Sequence, residues 1–265
     1  MSTPFQYAEP RVVNDPKDCY FYHSMDIPGH GEVHGDWDLR QSMPAYLGNF
    51  DFRGKRVLDI GAASGFLSFT MEKLGAEVVS FDMADGAQWD LVPHHGIAHK
   101  LDSIRLETRE THRRLTNGYW FAHRRLNSRA KVYYGNIYDL PVELGEFDAI
   151  VYGMVLGHLR DPFQALYQGS RLCRGSIIVA NQSTPFNGPY AKFMANAKNQ
   201  LLMAWWRFTP ECLQQLLGVL GFEVRHMVDS WPQCTVPGRT QKEQCFAAVA
   251  PRVAGSTALA LKACA

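Results

Sequence analysis

The sequence predicts an α/β protein built on a doubly wound, mostly parallel sheet of seven strands. Three observations carry that prediction. Arg56-Val57-Leu58-Asp59-Ile60 is an apolar run that ends in the small-residue loop Gly61-Ala62-Ala63-Ser64-Gly65, after which residues 66–74 carry apolar side chains at helical spacing. Strand, tight turn and helix in that order are the unit from which buried parallel sheets are assembled. A second apolar run, 77–82, again ends in an acid, and runs at 131–134, 146–152, 176–180, 223–227 and 244–250 bring the strands to seven. With 265 residues, 46% of them hydrophobic and 20% charged, the chain can bury one substantial core.

The loop after the first strand carries the chemistry. Gly61 and Gly65 remove Cβ atoms where the backbone must turn and approach a ligand, and a helix N-terminus follows. The spacing Asp59-x-Gly61-x-x-x-Gly65 departs from the Gly-x-Gly-x-x-Gly of a dinucleotide loop. A carboxylate at the strand end repels a diphosphate and suits a nucleoside that carries an amino-acid ammonium group. Asp82, at the end of the second strand and 17 residues beyond Gly65, can accept both hydroxyls of a ribose. From about residue 53 to 251 these features resemble the class I S-adenosylmethionine-dependent methyltransferases. The resemblance implies a Rossmann-like methyltransferase fold, S-adenosyl-L-methionine as cofactor, and a donor site formed by Asp59, Gly61, Ala62, Ala63, Ser64, Gly65, Asp82, Met83, Gly153 and Met154. It also implies that Asn136 stands where the family commonly has an acid facing the adenine amino group, with Ile137 against the ring. An Asn can accept that bond through its carbonyl oxygen.

Residues 1–52 precede the first strand and are rich in aromatics, His and Gly, so they must bury themselves on something. They read either as a lid over the cofactor pocket or as an arm that shields the sheet. As a lid, Tyr22 and His23 line the site as catalytic residues with His158, Trp37 as a cofactor-binding one, and residues 36–47 form a short helix with Trp37 and Arg40 on one face. Tyr22-His23-x-x-Asp26-x-Pro28-Gly29 followed by Gly35-x-Trp37-Asp38-Leu39-Arg40 is similar to the start of the tRNA wobble-uridine methyl or carboxymethyl transferases, a narrower resemblance than the fold.

The connection from Asp82 to the third strand takes about fifty residues, which implies a helical insertion at about 84–130. Residues 100–115 read as a helix and Tyr119-Trp120-Phe121 as a second buried piece. Its arginines, among them Arg105, Arg109, Arg113 and Arg114, either pair with neighbouring glutamates or hold an anion such as an RNA backbone. His94, His95 and His99 lack a fourth ligand at useful spacing, so no metal is expected. Residues 153–162, Gly-Met-Val-Leu-Gly-His-Leu-Arg-Asp-Pro, follow the fourth strand and resemble a stretch common in the same methyltransferases. His158 stands there at the ligand edge, where it can serve as general base or pack the loop. Pro162 and Thr209-Pro210 open helices at 163–172 and from 210.

Net charge is +1, the six cysteines are scattered, and neither a long apolar run nor a signal pattern is present. The expectation is a soluble, cytoplasmic enzyme without a membrane partner, with a methyltransferase domain at 53–251 and a flexible tail at 252–265. Near-neutral charge favours a small-molecule acceptor over tRNA, with O-methylation the favoured reaction and a tRNA wobble-uridine methyl or carboxymethyl transferase the first alternative. The other alternative is a cofactor-binding protein that does not catalyse, which the intact acids and glycines argue against.

Overall fold

A computed structural model describes residues 5–84, 90–92, 95–196, 203–236 and 238–256. His94, the string 85–89, Cys264 and the tail from 257 lie outside the described residues. Seven strands form the central sheet: β1 (Arg56–Ile60), β2 (Glu77–Met83), β3 (Lys131–Gly135), β4 (Phe147–Gly153), β5 (Cys173–Gln182), β6 (His226–Ser230) and β7 (Cys245–Pro251). Their order is β6-β7-β5-β4-β1-β2-β3; β1 to β5 are parallel, and β7 runs antiparallel to both β5 and β6. This is the predicted doubly wound sheet.

Helices α1 (Met43–Tyr46), α2 (Phe66–Lys73), α3 (Leu101–Arg125), α4 (Pro162–Leu172) and α5 (Pro210–Val219) cover its faces. One half of the core joins Val57, Val78 and Val151 to Tyr46, Leu67, Tyr119 and Phe121; the other joins Leu58, Ile150 and Val179 to Leu166 and Leu213. Val57 and Leu58 thus face opposite sides, so β1 is apolar throughout rather than alternating. Asp161 caps α4 through Gln164 N–H at 2.9 Å, and Thr209 caps α5 through Cys212 N–H at 3.2 Å. Both proline-led starts fall where the sequence put them. Cys173 and Cys245 are buried in the core.

Two local expectations are overturned. Residues 36–47 do not form a helix; Trp37–Asp38 is a strand paired with Gln233–Cys234, which in turn pairs with Gln241–Lys242, and only Met43–Tyr46 is helical. Trp37 and Arg40 are therefore not one helical turn apart. Arg40 instead folds back on Asp38, Glu32 and Asp26, tying the Met25–Ile27/Gly31–Val33 hairpin to the neighbouring strand. The insertion holds one long helix, not two pieces: α3 runs to Arg125 and connects β2 to β3. Gly118 sits inside it because a Cβ there would lie 2.5 Å from the Tyr20 carbonyl oxygen of the N-terminal segment. Among the described residues no helix is long and apolar enough to cross a membrane.

Candidate active site

The loops after β1, β2, β3 and β4 meet at the C-terminal edge of the sheet, where ligands gather in doubly wound folds. Gly61 and Gly65 have φ of 80° and 88°, and Ala63 between them is held at 50°. Of the four described non-glycine residues with positive φ, two are asparagines, which tolerate it; the others, Ala63 and Met154 (62°), flank this edge. A Cβ on Gly65 would lie 2.3 Å from the Phe69 ring, and one on Gly61 would lie 3.1 Å from Val155. Close approach requires glycine at 65, and the positive φ favours it at 61. Four N–H groups of this loop are engaged within the chain, that of Gly65 by the Ala62 carbonyl at 2.8 Å. Gly61 and Ala62 N–H donate to the Phe81 carbonyl, and Ala63 N–H donates to Asp82 Oδ2 at 2.8 Å.

Asp82 is thereby fixed. Its Oδ1 accepts Met83 N–H at 2.8 Å and lies 3.8 Å from His112 Nε2, while its side chain keeps 18% exposure. Two bonds do not saturate a carboxylate, so lone pairs remain for a ligand. Beside it, Ala63, Asp82, His112, Tyr119 and Tyr134 line a cavity of about 10 Å³, the size of a single water.

Asp59 lies deeper than the sequence suggests. Its Oδ2 accepts the Ser68 hydroxyl at 2.5 Å, Ser68 accepts from Ser80 at 2.7 Å, and Ser80 meets the Tyr119 hydroxyl at 2.8 Å. Oδ1 is buried with no partner, and burial pushes the carboxyl up to about 7. This chain of hydroxyls on α2, β2 and α3 had no signature in the sequence.

The N-terminal segment sits on the glycine loop: Tyr22 N–H donates to Ser64 Oγ at 3.1 Å, and Trp37 N–H donates to the Tyr22 carbonyl at 3.1 Å. Burial pushes the Tyr22 phenol up to about 12, against the opposing effect of a hydrogen bond with the Trp37 side chain. His23 is wedged between Tyr22 and Phe66, ring centroids 4.9 and 5.7 Å away; its Nδ1 has no partner, and burial lowers its pKa to about 3.

Across the edge, Asn136 Oδ1 accepts Tyr138 N–H at 3.0 Å, leaving one lone pair and the amide N–H₂, and Ile137 packs on the core. Gly153 closes β4 against Leu67, where a Cβ would lie 2.5 Å from Cδ1. His158 is exposed at one edge, and its Nδ1–H donates to the main-chain carbonyl of Met203. That bond fixes the tautomer with the Nε2 lone pair free, and desolvation of the ring on its protein-facing side lowers its pKa, against the opposing effect of the Met203 bond. Asp90 also reaches this edge, joined to Tyr138 and Arg160; lying outside any periodic run, it gave the sequence no signal. A larger cavity of about 430 Å³, between Asp38, Ser42, Trp231 and Lys242, lies at the end of β6, three strands from β4. Among the described residues no three His, Cys, Asp or Glu side chains gather as metal ligands.

Known proteins resemble this chain in sequence and in fold. Residues 38–227 fit the model of a family described as a methyltransferase domain. A ubiquinone biosynthesis O-methyltransferase of Dinoroseobacter shibae is 28% identical over 182 residues, covering 65% of this chain and 61% of the relative. The protein of the same name from Ruegeria sp. is 27% identical over 172 residues, covering 64% and 54%. The chain thus spans less than two thirds of the length of these curated relatives. The solved structure of 1,6-didemethyltoxoflavin-N1-methyltransferase from Burkholderia thailandensis, with 1,6-didemethyltoxoflavin and S-adenosylhomocysteine bound, superposes with a TM-score of 0.51 at 18% identity, covering 79% of this chain and 77% of that one. At that identity the likeness is one of fold. Nothing in these similarities bears on the narrower likeness to the wobble-uridine transferases. Matched by the family model over most of its length, the chain belongs to the methyltransferase-domain family and has the fold of the class I S-adenosylmethionine-dependent methyltransferases.

Proposed function

We propose that this enzyme transfers the methyl group of S-adenosylmethionine to a hydroxyl oxygen of a small organic acceptor. The residues at the sheet edge fit the donor. Asp82 has free lone pairs for the ribose hydroxyls, Asn136 and Ile137 stand where an adenine edge and face are met, and the buried Asp59 Oδ1 has no partner within the chain. The cofactor supplies a methyl on a sulfonium, an electrophile that needs no further activation.

The protein's own contribution is alignment, exclusion of water and removal of a proton. Tyr22 and Trp37, anchored on Ser64, cover the glycine loop from the N-terminal side. His158 carries the reading: with Nδ1–H held by the Met203 carbonyl, Nε2 is an acceptor at the edge of β4, and a lowered pKa keeps it neutral at physiological pH. The acceptor's O–H proton passes to Nε2 as its oxygen takes the methyl. His23 is assigned packing between lid and α2, because its ring is enclosed there. A small acceptor is supported by the named activity of the curated relatives and by the arginines of α3. Arg113 pairs with Glu110 at 2.6 Å, Arg114 donates to the Cys19 carbonyl at 3.0 Å, and Arg125 lies over the Phe121 ring at 3.5 Å, which leaves these three engaged within the protein.

The test is methyl transfer from labelled donor to a panel of phenols and alcohols by the unaltered protein and by His158→Ala. The expected result is a loss of roughly 10²–10⁴-fold in kcat with donor affinity unchanged, partly recovered as pH rises. In the unaltered enzyme the acid fall in rate lies at a lower pH than an unperturbed histidine would give, since the base is active when neutral and its pKa is lowered. Full turnover by His158→Ala would remove the base and favour an acceptor that is already nucleophilic.

A further inference from the structure

We propose that Asp90 is a positioning residue that clasps the adenine wall of the donor site to the loop bearing His158, so that donor binding orders the base. The proposal rests on the reading of donor and base given above. Asp90 follows β2 and keeps only 12% side-chain exposure. Its Oδ2 accepts the Tyr138 hydroxyl and, at 2.6 Å, the Arg160 main-chain N–H. Its Oδ1 accepts Arg160 Nε at 2.5 Å, and its own carbonyl accepts Trp205 Nε1–H at 2.9 Å. Three segments that share no sheet ladder at this point therefore converge on one residue of a fourth.

Each contact leads to the site in one further step. On one side, Tyr138 directly follows Ile137 and its N–H holds Asn136 Oδ1, so the phenol fixes the wall where adenine is placed. The same hydroxyl accepts Asp161 N–H at 3.1 Å, which already spans the two loops. On the other side, Arg160 lies two residues beyond His158. Trp205 N–H donates to the Gly157 carbonyl at 2.8 Å, and the Met203 carbonyl receives His158 Nδ1–H. Trp205 and Arg160 thus hold the base from both flanks, and both answer to Asp90. Bonds to a mostly buried carboxylate are among the stronger ones a protein makes. Burial and the neighbouring carboxylate push the Tyr138 phenol upward, so it remains a donor over the working pH range.

Hydrogen exchange read by mass spectrometry tests the clasp without relying on turnover, with S-adenosylhomocysteine as the probe. In the unaltered protein the probe is expected to slow exchange in both 136–142 and 156–161. In Asp90→Ala, protection of 136–142 should persist while that of 156–161 is lost, and the pH profile of transfer should move up toward that of an ordinary histidine. Tyr138→Phe removes only the hydroxyl, leaves the Arg160 pair intact, and should uncouple the two loops in the same way if Asp90→Ala fails to fold. Equal protection of both loops in the folded variants overturns the clasp while the donor reading stands. Failure of the probe to bind the unaltered protein overturns the donor reading and the clasp with it.

Discussion

Replacing Asp82 with Ala probes the donor site at the point where its geometry is most completely specified. The carboxylate accepts the N–H groups of Ala63 and Met83, both at 2.8 Å, and in the proposed reading its remaining lone pairs accept two ribose hydroxyls. Each hydrogen bond to a charged acceptor contributes about 1.5–3 kcal/mol. Removing both ribose bonds therefore costs about 3–6 kcal/mol of donor binding, or roughly 10²–10⁴-fold in Kd. The two main-chain amides lie near the surface and regain water, so the fold should lose only about 1–2 kcal/mol, a melting shift of a few degrees. A second effect adds to the binding loss: Ala63 is held at a φ of 50° by this acceptor, and without it the loop relaxes from the shape the donor meets. Asp82→Asn keeps one acceptor oxygen and should fall between the two proteins. Calorimetric titration with S-adenosylhomocysteine, alongside thermal unfolding by circular dichroism, measures both quantities. A folded Asp82→Ala protein that binds the probe within twofold of the unaltered one would refute the assignment.

The buried titratable groups give two further expectations. Asp59 titrates near 7 in the native state against about 3.9 when unfolded, so the native protein holds a proton that the unfolded chain releases, and stability falls as pH rises between those values. Asp59→Asn has no such term; its stability relative to the unaltered protein should climb by about 2–3 kcal/mol between pH 5 and pH 8, read by urea unfolding without donor, and a constant difference would contradict the burial argument. His23 behaves in the opposite sense: with a native pKa of about 3 it stays neutral while the unfolded chain protonates below about 6.5, so it costs stability progressively as pH falls. His23→Phe should fill the slot against Phe66, unfold later at pH 5, and retain methyl transfer; a large loss of rate with unchanged stability would return His23 to the catalytic set.

Much of the backbone around the glycine loop was legible because its determinants are local. The β1 strand, the glycines that must take positive φ, and an acid ending β2 all fall within the short window from Arg56 to Asp82, and backbone sterics act on neighbours in sequence. Helix starts at Pro162 and Pro210 were readable for the same reason, since a capping side chain and a proline act within one turn.

Tertiary structure decided the rest. Trp37–Asp38 has no helical or strand preference strong enough to settle its state; it becomes a strand because Gln233–Cys234, far along the chain, presents an edge to it. Asp59 is visible as an acid, but whether it faces a ligand or a buried file of hydroxyls depends on where α2, β2 and α3 place Ser68, Ser80 and Tyr119. Two histidines separate on similar grounds: His23 is enclosed by Phe66 and Tyr22, whereas His158 is oriented by the carbonyl of Met203. Asp90 acquires its partners only when the loops after β2, β3 and β4 are brought to one edge. Sequence determines what a short stretch of backbone can adopt, while the partners of a buried charge or ring come from distant segments and exist only once the sheet order has set those segments side by side.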